Sequence, residues 1–162
     1  MTPMLSSKTA VASGIRRPPF LYLACLVLGF ALDRLLPLPL SYPQARLICS
    51  IGGGALILTG VAIMAAGARN FSRAGTPVPS NQAVRALVTS GIHGWSRNPI
   101  YVGMLLLYAG IGTAARSPWV LILALPLIIT LRYGVIAREE TYLERRFGDA
   151  YRHYKKRVRR WL

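Results

Sequence analysis

The sequence predicts an all-α fold: an integral membrane bundle of about four transmembrane helices with a cytoplasmic amphipathic helix at the C-terminus. Three observations carry that expectation. Hydrophobic residues make up 53% of the 162 residues and charged ones only 15%, an apolar balance beyond that of ordinary soluble domains. The apolar residues fall into four runs, each near the ~20 residues a bilayer crossing needs. The twenty Lys and Arg residues mostly flank those runs instead of interrupting them. A net charge of +15 alone would fit a nucleic-acid binder, but its placement beside apolar spans argues against that class.

The first run, residues 20–40, carries Asp33 and Arg34 near its far end, followed by Pro37 and Pro39, so it is expected to fray there. The second, 47–68, has no charge. The third, 99–115, is also uncharged. The fourth, 117–137, holds Arg132 near its end, where a long side chain reaches the headgroups. Arg116, Ser117 and Pro118 join the third and fourth runs into a tight hairpin. Glycines inside the second and third runs are expected to serve close helix packing. Cys25 and Cys49 lie in apolar runs and read as small hydrophobes; no metal site is expected.

Orientation follows from the cations. Lys8, Arg16 and Arg17, the four arginines between the second and third runs, and the ten cations from Arg132 onward fall on one side. Arg34, Arg46 and Arg116 fall on the other. Four spans place both termini on the richer side, the cytoplasmic face of what reads as a bacterial inner membrane. Both open ends of the hairpin return to that face.

Polar residues cluster at those open ends. Pro77, Pro79 and Asn81 mark turns in the stretch before the hairpin. Asn98 and Pro99 suit the N-cap and first position of the third helix, and that helix start favours an anion. Arg97 beside it offers a fork suited to a carboxylate. Trp95 and Tyr101 suit an interfacial belt. After the fourth run, Glu139, Glu140 and Glu144 fall within six residues, and Glu140 and Glu144 share a helix face. Gly148 is expected to end that helix and Asp149 to cap the next. Tyr151, Tyr154, Val158 and Trp161 then recur at helical spacing among cations, as in a basic helix lying on anionic lipid.

Residues 87–91 (Leu-Val-Thr-Ser-Gly), with Trp95, Arg97, Pro99, Tyr101, Val102 and Gly103, resemble the core motif of isoprenylcysteine carboxyl methyltransferases. Glu139-Glu140, then Phe147-Gly148-Asp149 with Tyr151, Tyr154, Lys155, Lys156, Arg157 and Val158, resemble that family's C-terminal motif. Two motifs in the right order across a hairpin make the resemblance fairly specific, and it covers about half of the chain. The wider family includes phospholipid N-methyltransferases. Asn98 stands where the family commonly has His, and His93 where its eukaryotic members have Tyr.

The resemblance implies a single membrane methyltransferase domain spanning 1–162, with a cofactor segment at 75–98 and a C-terminal cap at 138–162. It implies S-adenosylmethionine as cofactor, with S-adenosylhomocysteine as product. Leu87, Val88, Gly91, His93, Arg97, Asn98, Pro99, Tyr101 and Glu140 are the expected cofactor-binding residues. Arg97, Tyr101 and Glu140 are the expected catalytic set, with Glu139 pairing with basic neighbours instead. The expected acceptor is a lipid or lipophilic small molecule, most simply a carboxylate, which is already ionised at pH 7 and needs no base. The alternatives are a phospholipid amine, for which Glu139 or Glu140 would be the base, and a non-enzymatic basic membrane anchor or assembly protein.

Overall fold

The computed structural model describes residues 18–38, 45–78 and 84–162. It is a helical bundle with no β-strand among those residues. Helix α1 spans Pro18–Leu35, α2 Ala45–Arg73, α3 Pro99–Ala114 and α4 Pro118–Thr130. A wide π-helical stretch, Leu131–Ile136, continues α4 without a break into α5, Ala137–Phe147, and α6 follows at Asp149–Arg157. A single 3-10 turn, Gly91–Gly94, precedes α3. Among the described residues, three helical segments are long and apolar enough to cross a membrane: Pro18–Leu35, Arg46–Arg73 and Pro118–Phe147. Pro99–Ala114 is a shorter apolar helix packed within them.

Several boundaries differ from expectation. The first helix ends at Leu35, just before the Pro37 that cannot continue it. The second runs on to Arg73. The fourth does not stop at residue 137 but carries its helical path out of the apolar region as far as Phe147. Its widened turns, of a kind frequent near functional sites, lie directly before Glu139 and Glu140. Lys8, Arg16, Arg17, Pro39, Pro79 and Asn81, and the loop before Ala45, lie outside the described residues.

α2 and α3 are antiparallel and unusually close. A Cβ at Gly60 would lie 2.6 Å from the Gly103 carbonyl oxygen, and one at Gly53 would lie 2.7 Å from that of Gly110. Side chains are missing where the two backbones meet, as expected of helices in lipid, where water provides no drive for association. α1 packs on α4: a Cβ at Gly29 would lie 2.6 Å from Val120 Cγ2. The buried Tyr108 hydroxyl donates to Val120 O at 2.9 Å. At the far end of α1, Ser117 Oγ bonds Asp33 and also accepts from Val120 N, capping α4. Leu23, Val27, Leu47, Ile48 and Leu58 point outward, as a lipid-facing surface requires.

The apolar stripe of the C-terminal helix packs on protein. Tyr151, Tyr154 and Val158 are buried against Leu87, Leu143 and Phe147. Their stripe faces the protein because the preceding polar segment supplies the apolar partner. The α5–α6 junction turns at Gly148, whose φ of 52° suits glycine. Gly148, not Asp149, occupies the N-cap position, and Asp149 pairs with Arg152 at 2.7 Å.

Candidate active site

The open ends of α2 and α3, the start of α1, and α5–α6 meet at one end of the bundle. Two cavities lie there among the described residues. One, of about 600 Å³, runs along α1, α2 and α3 and is lined by residues such as Val61, Met64, Ala68, Ile100 and Met104. This is the size of a small-molecule site. The other is a cleft of about 50 Å³ beneath the cap, lined by Val84, Leu87, Val88, Leu143, Tyr151 and Tyr154, among others. Phe71, His93, Arg97, Asn98 and Glu139 line both and form their common wall.

The two neighbouring carboxylates face different parts of this wall, as the ~100° step of a helix requires. Glu140 is clamped by arginines: Arg97 Nη2 lies 3.1 Å from Oε1, and Arg160 binds bidentately at 3.0 and 2.6 Å. Glu139, 9% exposed, accepts from the Tyr101 hydroxyl at 2.8 Å. No Lys or Arg among the described residues forms an ion pair with it. The expectation that Glu139 pairs with cations is therefore reversed. Arg160 reaches Glu140 from the tail, and no local spacing signals that approach.

Arg97 sits just before α3 with its Nε and Nη1 buried and without a hydrogen-bond partner among the described residues. Its backbone N–H donates to Arg159 O at 3.0 Å. Asn98 occupies the N-cap position of α3, but its side chain makes no cap bond; Nδ2 donates to Arg160 O at 2.9 Å instead. The tail is thus stitched to the start of α3 by main-chain and side-chain bonds.

His93, 2% exposed, is wedged edge-on to Phe71, and burial pushes its pKa down to about 4. Burial also raises the Tyr154 hydroxyl to about 12, so it remains a donor, to His93 O at 2.7 Å.

Of the residues singled out from sequence, Leu87, Val88, His93, Arg97, Asn98, Tyr101 and Glu140 all border one cavity or the other, and Pro99 borders the larger. Gly91 borders neither. It adopts φ 58° and lets the Asn70 amide approach. Tyr101 is buried and does not form an interfacial belt. Sequence reasoning missed Phe71, Asn70 and Arg160, and gave Tyr151 and Tyr154 to lipid. The helical stripe 151–154–158 was visible, but not what covers it.

The profile of the phospholipid methyltransferase family matches residues 48–150, which include the wall shared by the two cavities, the hairpin and both carboxylates. The chain belongs to the phospholipid methyltransferase family. This is a family of membrane methyltransferases within the isoprenylcysteine carboxyl methyltransferase-like superfamily, so the resemblance of the two motifs holds at that level. A protein of Haemophilus influenzae described as an uncharacterized protein is 63% identical over 35 residues, 22% of this chain and 56% of that protein. The chain thus spans about half the length of this curated relative. No solved structure matches. The family generally uses S-adenosylmethionine. The buried Nε and Nη1 of Arg97, without a partner among the described residues, are donors of the kind that the cofactor's carboxylate and hydroxyl acceptors need, so Arg97 fits that group.

Proposed function

We propose that this protein transfers a methyl group from S-adenosylmethionine to the polar head of a lipophilic acceptor, at the wall where the two cavities meet. The observation that carries this reading is the shared wall itself: Phe71, His93, Arg97, Asn98 and Glu139 stand between a small cleft that also holds Glu140 and a larger, mostly apolar cavity. When bound, the cofactor supplies an electrophilic methyl on a sulfonium. Arg97 would hold the carboxylate end through the two nitrogens, Nε and Nη1, that Glu140 leaves unused. Leu87 and Val88 enclose the nucleoside, and the Tyr151–Tyr154 face of α6 excludes water. At about 50 Å³ the cleft has room for only one or two waters. The cap therefore lifts to admit the cofactor and closes behind it.

The acceptor enters the larger cavity from the lipid side. Its head meets Glu139, a carboxyl group that no cation among the described residues pairs and that accepts from a phenol donor. This arrangement suits a protic head such as an amine. Glu139 takes the proton that an ammonium must lose before it attacks, and Tyr101 orients the carboxylate. The surroundings of Glu139 favour this amine reading over carboxyl O-methylation. The free N–H groups of Arg97 on the same wall support the carboxylate reading as the second possibility. The cation asymmetry of the sequence supports a cytoplasmic site, where the methyl donor is made, and both termini on that face.

Incubating the purified protein in lipid vesicles with methyl-labelled S-adenosylmethionine tests the proposal. Label in the lipid fraction is the expected result, and its stability to mild base separates an N-methyl product from a methyl ester. No label in any lipid from a protein that binds the cofactor would refute the lipophilic acceptor.

A further inference from the structure

Three elements converge on one imidazole. The Asn70 side-chain Nδ2, on α2, donates to Ser90 O at 2.8 Å, which fixes which end of the amide is nitrogen. The same NH2 group lies 3.4 Å from His93 Nδ1. An amide NH2 only donates, so the ring nitrogen facing it keeps its lone pair and the ring proton belongs on Nε2. Nε2 is buried, has no partner among the described residues, and belongs to a ring that lines both cavities. A buried donor left without an acceptor is costly.

The rest of the surroundings hold the ring in place. Phe71 meets it edge-on with centroids 4.7 Å apart. The Tyr154 hydroxyl grips its carbonyl from the cap. Gly91 takes a left-handed φ of 58°, and a Cβ there would lie 2.5 Å from Asn70 Nδ2. The close approach of Asn70 thus depends on glycine at that position.

We propose that Asn70 is a positioning residue that holds His93 as the neutral Nε2–H tautomer, and that this N–H donates to an oxygen or ring-nitrogen acceptor of the bound methyl donor. The second half rests on the methyltransferase reading above; the first rests on geometry alone. A neutral donor suits this position because it adds no positive charge beside a sulfonium.

The test uses full-length protein in detergent with ¹⁵N-labelled imidazoles, His93 being told from His153 by the spectrum of His93→Gln. His93 should appear as the neutral Nε2–H tautomer from pH 6 to 8. Asn70→Asp presents an acceptor to Nδ1 and should move the proton there or charge the ring. Its dissociation constant for S-adenosylhomocysteine should rise at least tenfold. Asn70→Ala, which imposes neither tautomer, should give a mixture and a smaller loss, and serves if the aspartate variant does not fold. A wild-type Nδ1–H tautomer overturns the proposal. So does unchanged affinity in a variant whose tautomer has switched. Wild-type protein with the expected spectrum but no affinity for S-adenosylhomocysteine refutes the methyl-donor reading and the ligand half with it, leaving the tautomer assignment standing.

Discussion

Glu139 and Glu140 are neighbours in the chain with opposite surroundings, and this gives them separable mutant effects. Glu140 holds two arginines together, with its side chain only 8% exposed. Glu140→Gln should destabilise the protein by about 3–5 kcal/mol, the usual cost of unpairing a buried ion pair, and weaken S-adenosylhomocysteine binding. Thermal melting in detergent and titration measure the two effects. Glu139→Gln removes a base and no ion pair. It should slow turnover by about 10²-fold at pH 7 with little change in melting, and its rate should climb as pH rises and the acceptor deprotonates unaided. The opposite ranking of the two variants would refute these roles. His93 supplies a pH dependence of stability. Its folded pKa of about 4 lies below the ordinary 6.5, so the folded state resists its protonation. The stability this provides is complete above pH 6.5 and is lost as pH falls toward 4, about 3 kcal/mol in all. His93→Gln should flatten the melting-temperature profile over that window.

At the scale of helices, the glycine interface decides how closely α2 and α3 approach. A Cβ at Gly103 would meet Gly60 O and Met64 Cγ at 2.6 Å and Met64 N at 3.0 Å, and backbone atoms cannot rotate away. Gly103→Ala should cost about 1–3 kcal/mol, as overpacking does. Gly52 and Gly54 have nothing within 4 Å of a Cβ, so alanine there should be neutral or stabilising by up to about 1 kcal/mol. Detergent melting curves check both. The sequence marks these helices as glycine-rich, and the seven-residue spacing of Gly53 and Gly60 against Gly103 and Gly110 hints at the facing pairs. Composition alone cannot say that Gly52 and Gly54 lie outside the contact. The cap was half legible for a similar reason. Periodicity places Tyr151, Tyr154 and Val158 on one face, but lipid and protein cover such a face equally well by pattern. Only the meeting of residues 87 and 151, far apart in sequence, decides between them. Arg160 looked like one more surface cation because its partner Glu140 lies twenty residues away.

For the whole molecule, the four apolar runs and the flanking cations were legible because bilayer thickness and headgroup charge act on short stretches of sequence. The start of α1 lines the same cavity as Arg97 and Glu139, while Ser117 meets Asp33 at the opposite end, as the proposed topology with both termini on one face requires. Reporters fused before Lys8 and after Leu162 should both read cytoplasmic; termini on opposite sides would contradict the proposed topology. The proposed activity depends on the shared wall binding the methyl donor through Arg97. Calorimetric titration of the purified protein with S-adenosylhomocysteine tests it most directly. Saturable binding is expected in the wild type, weakened at least 30-fold in a folded Arg97→Ala variant, since losing one desolvated charge partner costs about 2–5 kcal/mol. Equal affinity in wild type and variant, or no binding by the wild type, would contradict the account.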